Sequence, residues 1–252
     1  YQMLTSCYVA TDDVAQAVAI SELTRATLLL EQLLGVDTSE APSFSLEQIQ
    51  QVLPEDTAVV IYAETPGETL IQVTITHSQT HASEQATEAL TQPILEHYAE
   101  QMAFVLEDAA SGDAFEQVIQ YYRELLVTPE WPQAYQDLSR RLFAFLLHDA
   151  QPLLSGKTRL IIVPDGILNF LPFETLMAAD GTYVAEIYRV TYAQSLGVLA
   201  QIRRRDYSQT PRNPLLAFGG AVYEEPEEPY EGSDTEAYLK YVRKQADEAI
   251  TT

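Results

Sequence analysis

LIIVPDGILNFLPFETLMAADGTYVAEIYRVTYAQSLGVL, residues 160–199, is the stretch whose reading decides the fold. It opens with apolar, mostly β-branched residues that run without interruption from Leu160 to Val163 and stop at Pro164-Asp165-Gly166. A strand with no polar alternation is one buried on both faces, as in a parallel sheet covered by helices. The next turn, ILNFLPFETL, presents Pro172-Phe173. YVAEIYRVTYA (183–193) reads as a further long strand or strand pair. SLGVLAQIRRR (195–205) reads as a helix with Ser195 at its N-cap and arginines in the last turn, where cations suit the dipole. PLLAFGGAVY (214–223) reads as another buried strand. On the upstream side, YQDLSRRLFAFLLHDAQPLL (135–154) has the amphipathic spacing of a helix that ends at Pro152. Ser155-Gly156 then makes the turn into the strand. Strand and helix alternate, which argues for a layered α/β domain.

Further upstream, residues 14–34 read as an amphipathic helix, capped by Asp12 or Asp13 and closed by Gly35. A linker follows. SLEQIQQVL (45–53) reads as a short helix whose Ser45 and Gln48 form a capping box. TAVVIYAE (57–64) and TLIQVTIT (69–76) read as strands joined through Pro66-Gly67, a β-hairpin. Residues 77–90 are polar and read as a loop running into a helix. Helical pattern then continues to about 127, where Pro129 and Pro132 break it. Beyond 223, EEPEEPYEGSD (224–234) reads as an acidic loop, and residues 235–250 as a last helix.

The chain has 252 residues, 46% hydrophobic and 20% charged, a composition able to bury a core. No apolar run approaches the ~18 residues of a membrane span. The N-terminus has no basic region leading into an apolar stretch, so no signal peptide is read there. The chain starts at Tyr1 rather than at a Met, as expected of a segment of a longer protein. Acidic residues outnumber basic ones 37 to 14, a formal charge of −23. Nucleic acid and anionic membrane both need a basic footprint, so neither is expected as a partner. The charge is uneven. Residues 1–154 hold 23 acidic and 4 basic side chains, whereas residues 155–212 hold 5 and 7. Attention therefore falls on the middle block.

One cysteine, Cys7, excludes an internal disulfide framework and fits a reducing, cytoplasmic compartment. It lies far upstream, with no glycine turn or neighbouring histidine, and reads as a small hydrophobe rather than a nucleophile. His77 and His81 are spaced i, i+4, but no Glu follows His77, so zinc-hydrolase spacing is not met. His97 and His148 fall on helical stretches and read as structural. Gly156-Lys157-Thr158 ends like a phosphate-binding loop. That loop needs a glycine where Gln151 stands and a helix where a strand follows, so a turn before a strand is the reading. No metal or other cofactor is expected. Asp165 has two readings. It is a strand-end carboxylate at the edge where open α/β sheets bind ligands, or a residue of an ordinary Asp-Gly turn.

The pattern strand-PDG-x-L-x-x-L-PFE-x-L, followed by Y-x-A-E-x-Y-x-V-x-Y-A-x-S, resembles the CHAT family, caspase-like cysteine peptidases found beside tetratricopeptide repeats. SELTRATLLLEQLL resembles the last repeat helix before such domains. SLEQIQQVLPEDTAVVIYAETPGETLIQVTIT resembles their first hairpin, and NPLLAFGGAVY a later core strand. The resemblance runs from about residue 14 to 223. Gln194 departs from it where a Pro is more usual before the Ser.

The resemblance implies an α/β, caspase-like three-layer α/β/α fold. Its sheet is mostly parallel and incomplete, preceded by a helical repeat end (1–35) and a β-hairpin, with the domain itself over 36–252. It also implies peptide hydrolysis by a His-Cys dyad lying later in the family's sequence, in His-Gly and Ser-Ala-Cys contexts that do not occur here. The chain is then the N-terminal, non-catalytic portion of such an endopeptidase. Its partners are a C-terminal portion of the same protease, a protein or peptide substrate, and a regulatory protein on the upstream repeats. Asp165 is the expected substrate-binding residue, favouring cleavage after Arg or Lys, with Glu174 structural. A scaffold that only binds partners is the competing reading.

Overall fold

The computed structural model describes residues 2–11, 13–20, 45–65, 68–106, 112–128, 130–197 and 199. Contacts divide the chain into Tyr1–Arg205 and Asp206–Thr252, and every described residue belongs to the first unit. The rest of the helix expected over 14–34, the hairpin tip, the strand over 214–223, the acidic loop and the last helix lie outside the described residues.

The elements run α1 (Gln2–Ala10), α2 (14–20), α3 (Leu46–Val52), β1 (Thr57–Thr65), β2 (Thr69–Thr76), β3 (Thr80–Ala86), α4 (Glu88–Val105), α5 (Ala114–Val127), α6 (Pro132–Leu147), α7 (Gln151–Leu154) and β4 (Arg159–Val163). Two 3₁₀ turns follow, Gly166–Phe170 and Phe173–Thr175, then α8 (Val184–Ile187) and β5 (Arg189–Tyr192). One sheet holds all five described strands in the order β3-β2-β1-β4-β5. β1 pairs parallel with β4, and β4 parallel with β5. β1–β2 and β2–β3 are antiparallel. Among the described strands two pairings are parallel and two antiparallel. The hairpin does not precede the sheet but supplies two of its five described strands.

Side chains alternate across β1 and β4, and both faces are dry. Ala58, Val60, Tyr62, Leu160 and Ile162 pack under α4, α5, α6 and the 3₁₀ turns. Val59, Ile61, Ile161 and Val163 point the other way, against Val18, Ile49, Leu53 and Leu196. This is the three-layer arrangement expected of an uninterrupted apolar strand. Val9, Val14 and Val18 of α1 and α2 join the second face, so these helices pack on the sheet. The hydroxyl of the buried Tyr62 donates to Leu146 O at 2.5 Å and ties the central strand to the end of α6.

Several local expectations change. The polar stretch 77–90 contains an edge strand, β3, and helix starts only at 88. An edge strand pairs on one side alone and needs no apolar alternation, so the pattern concealed it. The helix expected to run to 127 is two helices, and Asp113 caps the second by accepting Glu116 N–H at 2.8 Å. The helix over 135–154 starts at Pro132, stops at Leu147 and resumes as α7. Residues 183–193 are not one strand. Glu186 Oε2 accepts Tyr183 N–H at 2.8 Å and turns 184–187 into a helix before the short β5. The capping box of Ser45 and Gln48 is present as read. Gly156-Lys157-Thr158 forms the turn into β4, with Thr158 Oγ1 donating to Asp56 Oδ2 at 2.9 Å.

Candidate functional site

Parallel pairing sets the site. Ile61 of β1 stands opposite Val163 of β4 in their last parallel pair, so the residues beyond that pair emerge at one carboxyl edge. Asp165 comes out there two residues past Val163, and Glu64 three past Ile61. The two are stitched reciprocally. Glu64 N–H donates to Asp165 Oδ2 at 3.1 Å. Ile167 N–H donates to Glu64 Oε1 at 3.2 Å. Between them Gly166 takes φ +51°, and a Cβ there would collide with the Glu64 carboxylate. Only glycine supplies both the left-handed backbone and the space.

The start of α5 closes on the same spot. Burial raises the pKa of Glu64 first, and the charge of Asp165 second. Asp113 and Glu116 push the same way, the Ile167 N–H pulls against them, and the result is a carboxyl pushed up to about 7. Glu64 went unremarked in the sequence. Its one signal was an acidic residue closing the otherwise apolar strand TAVVIYAE, and its pairing with Asp165 depends on a parallel alignment that no local pattern contains.

The Pro172-Phe173-Glu174 segment is built into the core beside this edge. Phe173 is fully buried, with its ring centroid 5.5 Å from that of Tyr62. Burying such a ring contributes about 2–3 kcal/mol. The Thr175 carbonyl accepts from Tyr122 OH, Tyr135 OH and Ser139 Oγ, each at 3.0 Å. Tyr192 OH accepts from Phe173 N–H at 2.9 Å and donates to Glu174 Oε2 at 2.6 Å. Glu174 is thus engaged with β5 rather than with Asp165.

The thiol and imidazoles stand elsewhere. Cys7 is exposed on α1. His77, beyond β2, has Nδ1 3.1 Å from Gln50 O, and His81 lies on β3, so the two do not share a helix face. His97, on α4, meets the Tyr98 ring edge-on at 4.5 Å, and His148 follows α6. Ser195 is buried, and its carbonyl accepts Leu199 N–H at 3.1 Å, a helical bond. Among the described residues no group of three or more His, Cys, Asp or Glu is arranged to hold a metal ion. Among them, too, no helix is long and apolar enough to cross a membrane.

No curated protein matches this sequence. A family model does match, and it begins at α6, later than the resemblance from residue 14. The hairpin that supplies Glu64 therefore precedes the matched stretch, whereas Asp165 and the Pro-Phe-Glu segment lie inside it. Residues 134–249 match the family model of the CHAT domain.

Proposed function

We propose that this chain is the N-terminal, non-catalytic portion of a caspase-like cysteine endopeptidase that cleaves after basic residues, with Asp165 receiving the basic side chain. The observation that carries the reading is the position of Asp165. It ends a central strand at the carboxyl edge, inside the stretch that matches the CHAT domain. A carboxylate there attracts a guanidinium or ammonium through a charge-assisted hydrogen bond, bidentate in the case of Arg.

Hydrolysis in such an enzyme needs an imidazole to take a thiol proton and the thiolate to attack the carbonyl. Cys7 is the only cysteine and is exposed on α1, so the nucleophile and its base belong to a C-terminal portion, the chain's principal partner. Residues 1–35 end a helical repeat region that takes a regulatory protein. Residues 36–252, with the acidic loop at 224–234, belong to the protease domain. A lone cysteine suits the reducing cytoplasm.

A scaffold without catalysis is the second reading. The exposed position of Cys7 on α1 and the net charge of −23 favour it. Co-purification with mass spectrometry separates the two. Under the protease reading a second polypeptide with His-Gly and Ser-Ala-Cys segments accompanies the chain, and the assembly cleaves arginyl peptides. Under the scaffold reading no assembly cleaves. The chain alone should cleave no peptide; a peptidase rate of the chain alone that alkylation of Cys7 abolishes overturns the assignment.

A further inference from the structure

Glu64 occupies the Asp165 site without being an ordinary surface acid. Its carboxylate holds Ile167 N–H and fills the space over Gly166, while its main-chain N–H holds Asp165 Oδ2. One clasp therefore fixes two carboxyls from neighbouring parallel strands at the same edge. The acids facing Glu64 are Asp165 from the β4 turn and Asp113 and Glu116 from α5. The cation of α5, Arg123, has its guanidinium over the Phe170 ring at 5.4 Å. An acid in this setting keeps its proton near neutral pH, because ionising it would add a second negative charge beside Asp165 in a half-buried place. A cation brought into the site removes that objection.

We propose that Glu64 is a second specificity-determining carboxyl of the Asp165 site, and that a basic side chain docks there with release of one proton from Glu64. The inference rests on the reading that Asp165 receives that side chain. On docking, the O–H bond of the Glu64 carboxyl breaks, the electron pair stays on oxygen and the proton passes to solvent. The new carboxylate faces the guanidinium, and no covalent bond to the ligand forms. A neutral side chain gives Glu64 no reason to ionise. Selectivity for a cation is then shared between β4 and the hairpin.

The test is calorimetric titration of this 252-residue chain with a peptide amide ending in arginine, and with its citrulline analogue. Titrations span pH 5.5–8.5 in two buffers of different ionisation heat. Arginyl affinity is expected to rise about tenfold per pH unit up to about pH 7 and then level, the slope of a single released proton. Citrulline binding stays weak and flat. Glu64→Gln keeps an oxygen for Ile167 N–H. In that variant arginyl binding should be weaker at pH 8, flat with pH, and free of proton release. Asp165→Asn should abolish binding.

Failure of the wild-type chain to distinguish arginine from citrulline overturns both readings. Binding that depends on Asp165, with proton release unchanged in Glu64→Gln, overturns the role of Glu64 and leaves that of Asp165. If Glu64→Gln does not fold, carbon-13 titration of the wild-type Glu64 carboxyl decides. A midpoint near 7 that falls when the arginyl peptide is added is expected, and an unmoved midpoint overturns the proposal.

Discussion

The two edges of the parallel strand pair carry carboxylates in opposite circumstances. At the amino edge Asp56 is partly exposed, accepts Thr158 Oγ1 at 2.9 Å and lies 3.4 Å from Arg159 Nε. The Thr158 hydroxyl first, then Thr57 and the Arg159 charge, hold it below the usual carboxylate range. At the carboxyl edge Glu64 is half-buried among other acids and is pushed up to about 7. One edge sets its acid beside a hydroxyl and a cation, and the other sets Glu64 beside like charges. In an open α/β sheet ligands bind outside the carboxyl ends of the strands, and a carboxyl shifted by burial and like charge is a marker of such a site. Under the proposal above, the amino edge is finished structure, whereas the carboxyl edge is where a cation docks.

The sharpest way to break this comparison is to neutralise one acid at each edge in the assembled protease. Losing one partner of a buried charge pair costs about 2–5 kcal/mol. Asp165→Asn should therefore lower kcat/KM for arginyl substrates by roughly 30- to several thousand-fold, with the fold intact by circular dichroism. Asp56→Asn should leave it within about twofold, as an exposed pair does. Unchanged preference for Arg over neutral residues in Asp165→Asn would return Asp165 to the role of a turn residue.

Glycines provide a matched pair for stability. Gly156 before β4 and Gly166 after it both have positive φ, +74° and +51°. A Cβ at Gly156 meets nothing within 4 Å, whereas one at Gly166 collides with the Glu64 carboxylate. Gly156→Ala should cost only the left-handed backbone penalty, about 1–2 kcal/mol. Gly166→Ala should cost that and the displacement of Glu64, about 2–4 kcal/mol together. Urea melts of the two variants measure the difference. Equal losses would mean that Glu64 yields freely and that the clasp is loose.

The amino edge and the core of β4 were legible in the sequence. A run such as Leu160 to Val163 reports burial on both faces directly, and Pro164-Asp165-Gly166 marks its end. The carboxyl edge was half legible. Asp165 is local to its turn, but Glu64 lies 101 residues earlier in the chain, and only the parallel register with β4 brings it alongside. β3 was hidden because THASEQA carries no apolar period. Its order comes from pairing with β2 and from contacts such as Gln85 Nε2 to Asp149 Oδ2 at 2.8 Å. Tyr183–Tyr192 was hidden because β-rich composition points to strand, whereas the capping bond of Glu186 is a side-chain event.

Stability against pH sharpens the contrast further. Glu64 has its folded pKa raised, so the native state holds a proton that the unfolded chain has already lost. Stability from this group is complete at low pH and falls as pH rises from about 4, the value of a free Glu, through about 7. After allowance for solvent screening of a half-buried group, the loss is about 1–2 kcal/mol. Glu64→Gln should flatten the melting profile over that range. A wild-type chain whose stability rises steadily from pH 5 to 8, with no change in Glu64→Gln, would show that Glu64 ionises without cost.

Asp56 gives the smallest effect and the opposite sign. Its folded pKa is lowered, so its contribution is present above the value of a free Asp and is lost as pH falls through the lowered one. The group is partly exposed, and salt screens its attraction to Arg159. In a Glu64→Gln background, where the larger slope is gone, thermal melts between about pH 2 and 5 should isolate it. Asp56→Asn should make that acid limb slightly shallower at low ionic strength, and somewhat less so at about 1 M salt, where the Debye length is roughly 3 Å and the Arg159 contribution is screened. The hydrogen bond from Thr158 has a neutral donor and survives salt better than the ion pair does. A difference that persists undiminished at high salt would therefore assign the lowered pKa to Thr158, its largest cause, and reduce Arg159 to a bystander. An acid limb made steeper by the substitution would mean that Asp56 is not satisfied at the amino edge. The distinction between the two edges would then fail at the end where it looked secure.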